Sequence, residues 1–128
     1  MPSAIPQHVR DFLTTCIDSV GQLEVLLMLY ADDQHVWTAD EVSRRLRTSH
    51  SAAADQLDQL AAHGLLLGDD AAGFRFQAAK ADTAIAVRDT AAAYASHRTT
   101  VIAAIHSSPA NKLQSFADAF KLREDDSN

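Results

Sequence analysis

The 128 residues fit one domain, with 47% apolar side chains, 22% charged ones and a net charge of −6, which is enough chain for a real core and the composition of a globular protein. The one cysteine, Cys16, excludes an intramolecular disulfide framework, and scarce glycine and proline let long helices run uninterrupted. The longest apolar run near the start, Val25 to Tyr30, is too short to span a membrane, and no basic-then-apolar leader resembles a signal peptide, so the chain reads as cytoplasmic.

Residues 1–6 read as loose, with Pro2 and Pro6 preventing an earlier helix. Val9, Phe12, Leu13 and Cys16 then form one apolar stripe and predict a short helix from Gln7 to about Ile17. Ser19 and Gln22 have capping-box spacing and open a second helix that ends near Asp32. That helix is apolar on most faces, which makes it central to the core. His35, Val36 and Trp37 read as a small strand, with Trp37 filling the core edge.

A better capping box, Thr38 to Glu41, opens a helix with Val42 and Leu46 inward and Arg44, Arg45 and Arg47 outward. After a turn at Thr48 and Ser49, a helix from His50 to about His63 buries Ala53, Leu57, Leu60 and Ala61. Gly64 stands where a left-handed cap is wanted. Leu65–Leu67 and Phe74–Phe76 then predict two short strands around a turn from Asp69 to Gly73. From about Ala81 to Ile105 one unbroken helix of about 37 Å is expected. Val87, Ala91, Tyr94, Arg98, Val101 and Ile105 run along it close to a heptad seam. Ser108 and Pro109 start a last helix to about Leu122, with Leu113, Phe116, Ala117 and Phe120 on one face, before a frayed acidic tail.

The order from Trp37 to Gln77 is that of a helix-turn-helix with a β-hairpin wing. Residues 38–77 resemble the winged helix-turn-helix of MarR-type and related small bacterial regulators. The likeness rests on Thr38 to Leu46 and on the spacing of Leu57, Leu60, Gly64, Leu65 and Leu66. It implies a mainly α fold with a small β-wing: a winged domain over residues 1–80 and carboxy-terminal helices over 81–128 that serve a homodimer. It also implies double-stranded DNA as the partner, with Ser49, His50, Ser51, Ala54 and Asp55 presented by the recognition helix, Arg44, Arg45 and Arg47 on phosphates, and Arg75 at the wing. Val87, Ala91, Tyr94, Val101, Ile105, Phe116 and Phe120 are the expected dimer contacts.

The exposed residues depart from that pattern. Asp55 stands where the family usually carries arginine, Asp58 follows one turn later, and Asp69 and Asp70 occupy the wing tip. Carboxylates facing phosphates repel them. A second reading therefore keeps the fold and replaces DNA with another protein as partner. The six histidines lack the i, i+4 spacing of a helical metal pair, and there is no HExxH, phosphate loop or nucleophile elbow. No cofactor and no enzymatic activity are expected.

Overall fold

The computed structural model describes residues 5–106. The elements follow in the order α1 (Gln7–Cys16), α2 (Val20–Ala31), α3 (Ala39–Leu46), α4 (His50–Ala62), β1 (Leu66–Asp69), β2 (Gly73–Phe76), α5 (Ala81–Ser96) and α6 (Arg98–His106). The described chain is mainly helical with one small antiparallel sheet. The expected helix at 109–122 and the acidic tail lie outside the described residues.

Chain entry is tighter than the prolines suggest. Ile5 is buried, and the Pro6 carbonyl accepts from the amides of Val9 and Arg10. α1 then buries Val9, Phe12 and Leu13. Cys16 at its end is half-buried, and burial, followed by the Asp18 carboxylate, pushes its thiol up. A protonated thiol is a poor nucleophile. α2 begins where the Ser19 hydroxyl accepts from the Gln22 amide at 3.1 Å. The expected reciprocal bond is displaced by one residue: Gln22 Oε1 accepts from the Asp18 amide at 2.7 Å. The Gln22 side chain is buried and its Nε2 lies 3.4 Å from Gln59 Oε1 on α4. Leu23, Val25, Leu26 and Leu29 of α2 are fully buried, as a helix apolar on most faces requires.

The expected strand at His35–Trp37 contracts to a single antiparallel bridge between Trp37 and Phe74, closed by amide-to-carbonyl bonds of 2.6 and 2.7 Å. β2 thus lies between that bridge and β1, with Leu66 opposite Phe76 and Gly68 opposite Phe74. Asp69 Oδ1 accepts from the Ala72 amide at 2.7 Å and shapes the turn. Gly68 has φ +133°, and a Cβ there would sit 1.9 Å from the Gly73 carbonyl oxygen, so the hairpin accepts only glycine at that point. Phe74 is buried, and Phe76 meets Tyr30 edge-on at 5.1 Å.

The unbroken helix expected from Ala81 to Ile105 is two helices. His97 leaves helical geometry at φ −135°, ψ 52°, and its carbonyl accepts from the Val101 amide to start α6. No glycine or proline marks the break. The bend accompanies packing: α1 lies against both α5 and α6, and those two helices also lie against each other. Val87, Val101 and Ile105 are consequently fully buried within the chain, and one cluster of buried side chains runs from α1 through α6. Among the described residues no single helix is long and apolar enough to cross a membrane.

Candidate nucleic-acid interface

Three helices hold the candidate surface. α3 packs on α4, and α4 packs on both α2 and β1. The start of α3 has the full reciprocal box, with Thr38 Oγ1 accepting from the Glu41 amide and Glu41 Oε1 from the Thr38 amide. Val42 is buried and Leu46 half-buried, which turns Arg44 and Arg45 outward. The helix ends at Arg47, whose backbone is left-handed at φ 54°. Arg47 is the positive-φ residue other than glycine among those described. Such a conformation costs an L-residue roughly 1–2 kcal/mol.

α4 follows at once. Ser49 accepts from the Ala52 amide at 3.1 Å. At the far end the Gly64 amide reaches the Ala61 carbonyl and the Leu65 amide reaches the Leu60 carbonyl. With Gly64 at φ +77° this is a Schellman cap. Ala53, Leu57 and Leu60 face the core, while Ala61 is only half-buried. Ser49, His50, Ser51 and Asp55 are exposed and Ala54 is half-buried, so the expected recognition face is a continuous outer surface. Asp58 is exposed one turn further on.

The cations of this surface are unequal. Arg44 Nη2 lies 2.7 Å from Asp40 Oδ2 one turn earlier. The other oxygen of Asp40 is 4.0 Å from His50 Nδ1. Arg45 sits over the Trp37 indole, 5.4 Å from the ring centroid. Arg47 makes no ion pair among the described residues. Arg75, half-buried opposite Leu67 on the hairpin, donates to Gln77 Oε1 at 2.9 Å. Asp69 and Asp70 are exposed at the hairpin tip.

The expected dimer contacts are distributed differently. Val87, Val101 and Ile105 have no exposed surface, Ala91 and Tyr94 keep some, and Phe116 and Phe120 lie outside the described residues. Several contacts escape the sequence reading. His8 Nε2 lies 2.6 Å from Asp89 Oδ2, joining α1 to α5 across 81 residues. His35 Nε2 lies 2.9 Å from Glu41 Oε2 and stacks edge-on against Trp37 at 4.5 Å. The hydrogen bond from His8, then that from Arg88, holds the Asp89 carboxyl below its usual range, and the His35 bond does the same for Glu41. Only the six-residue separation of His35 and Glu41 hinted at either pair. Among the described residues no three histidine, cysteine, aspartate or glutamate side chains gather around a metal-sized space. Comparison with family models, curated proteins and solved structures finds no match to this chain.

Proposed function

We propose that this chain is a winged helix-turn-helix protein that binds double-stranded DNA as a transcriptional regulator. In this reading α4 enters the major groove with His50, Ser51, Ala54 and Asp55 towards base edges. Arg44, Arg45 and Arg47 contact phosphates, which positions the helix without reading sequence. The hairpin is the wing, with Arg75 beside the backbone. The order of helix, bridge, helix, helix and hairpin supports the fold assignment.

One observation carries the DNA reading. Arg47 occupies a left-handed turn position that glycine would fill at lower cost, and its guanidinium, at the threshold of α4, makes no ion pair among the described residues. That backbone state closes α3, where the Thr48 amide reaches the Ser43 carbonyl at 3.0 Å, and it also leaves an exposed cation beside the start of α4, which supports the DNA reading. Homodimerisation remains part of the proposal, with Ala91 and Tyr94 as its half-exposed contacts among the described residues; sedimentation at micromolar concentration tests it. A second reading, an adaptor on the same scaffold, is favoured by the carboxylates of Asp55, Asp58, Asp69 and Asp70, which suit a basic protein partner.

The test is retention of mixed genomic DNA fragments by the purified protein at low and moderate salt. The regulator reading expects retention that falls steeply as salt rises and that is lost on Arg47→Ala. No retention at low salt overturns it and leaves the adaptor.

A further inference from the structure

Of the two helices at the proposed interface, α3 carries arginines, whereas α4 carries no lysine or arginine along HSAAADQLDQLAA. Ala53, Leu57 and Leu60 bury one side of α4. With about 3.6 residues per turn, Asp55 stands roughly 170° around the helix from the middle of that buried line. Its side chain is therefore aimed away from the core, and it is exposed, as are Ser51 and Asp58 beside it. Ser51, Ala52 and Ala54 are small, so α4 can bring its backbone close to a groove floor.

The fold makes no use of this carboxylate. On α3, Asp40 holds Arg44, and Glu41 caps the helix and holds His35. At the hairpin, Asp69 shapes the turn. Asp55 makes no ion pair and no side-chain hydrogen bond among the described residues. It lies past the first turn of α4, beyond the reach of the favourable end of the helix dipole. Asp58, three residues on, places a like charge next to it.

In a major groove an ionised carboxylate can only accept hydrogen bonds. Cytosine offers it the N4 amino donor. Guanine presents the acceptors N7 and O6, thymine presents the acceptor O4 and a methyl group, and adenine sets its N6 donor beside the acceptor N7. A carboxylate that finds no donor there is left among phosphates that repel it. The wrong base is thus rejected as well as the right one accepted. We infer that Asp55 is the specificity-determining residue of α4 and that it selects cytosine, an inference that rests on the DNA reading above. Arg44, Arg45 and Arg47 supply the hold on the duplex, and Asp55 decides where that hold is strongest.

The test is selection from a pool of short duplexes with a randomised centre, retained on the whole protein at low salt and sequenced. Wild type is expected to enrich cytosine at one or more positions, and replacing that base should weaken retention by about tenfold. Asp55→Asn is expected to move the preference at that position to adenine, because an amide donates to N7 and accepts from N6. Asp55→Ala is expected to lose the preference there and to retain unselected duplex more tightly than wild type, since a repelling charge is gone. The position is exposed, so both variants keep the fold, which circular dichroism checks. Identical sequences recovered by wild type and both variants overturn the inference and leave the DNA reading standing. A wild-type preference for another base at the position that Asp55→Asn alters does the same. No retention of the pool by wild type or by either variant is the distinct failure of the DNA reading itself, and the inference falls with it.

Discussion

The helix pairs α3–α4 and α5–α6 are joined by short breaks and both press on the same core, yet different information makes them. In α3–α4 three of the four ends are written in local sequence. Thr38 and Glu41 start one helix, Ser49 starts the next, and Gly64 closes it. In α5–α6 the Lys80 side chain makes no cap bond, and the break at His97 contains neither glycine nor proline. There α1 packs on both helices at once, and no local stop signal accompanies the bend. Local chemistry delimits the first pair and tertiary packing the second.

Core truncation tests the shared part of this comparison and has the largest expected effect. Leu57→Ala in α4 and Ile105→Ala in α6 remove fully buried side chains. Each is expected to lose about 2–5 kcal/mol in urea unfolding. A loss well under about 1 kcal/mol for Ile105→Ala would mean that α6 does not belong to the core.

Cap substitutions sharpen the contrast. Thr38→Ala removes the hydroxyl that accepts from Glu41 and should cost about 1 kcal/mol. Lys80→Ala at the corresponding position of α5 should stay within about 0.5 kcal/mol, since no side-chain cap is lost. Equal losses in denaturant titrations would erase the distinction. At the other end of α3, Arg47→Gly relieves a left-handed residue and should gain up to about 1 kcal/mol. The same variant should weaken DNA retention. A gain in stability together with unchanged retention would remove Arg47 from the proposed interface.

Acid titration separates the pairs most gently. The folded pKa values of Glu41 on α3 and Asp89 on α5 are depressed, first by hydrogen bonds from His35 and His8. A depressed carboxyl stabilises the fold above its unfolded pKa, and that contribution is lost as pH falls through the lower folded value. The urea midpoint should therefore decline below about pH 4.5, and less steeply in Glu41→Gln and Asp89→Asn. Identical acid limbs in wild type and both variants would deny these pairs a role in stability.

The legible part of the molecule follows the same division. Thr38, Glu41, Ser49 and Gly64 were readable because capping depends on residues only a few positions apart. The hairpin was readable from alternation at Phe74 and Phe76 and from the Asp69–Gly73 turn. Within the candidate site, exposure of Arg44, Arg45 and Arg47 followed from helix spacing around Val42 and Leu46. The pairing of those arginines did not. Arg45 on the Trp37 ring and the buried seam at Val87, Val101 and Ile105 depend on how separate segments meet, and the left-handed Arg47 closes α3 without the glycine that would have marked it. A heptad-like row records that a helix face is covered and is silent on whether α1 or a second chain covers it. Likewise, Asp69 reads as repulsive wing charge in the sequence, whereas in the fold its carboxylate shapes the turn.

The central claim is that the outer surface of α3–α4 and the hairpin meets DNA while α5–α6 serves the core. Amide chemical-shift mapping during addition of a short duplex tests it most directly. The account predicts shifts concentrated from Arg44 to Asp55 with a second group around Arg75, and little change along Val87 to Ile105. An unmoved Arg44–Asp55 segment at low salt, or shifts concentrated on α5 and α6, would contradict it.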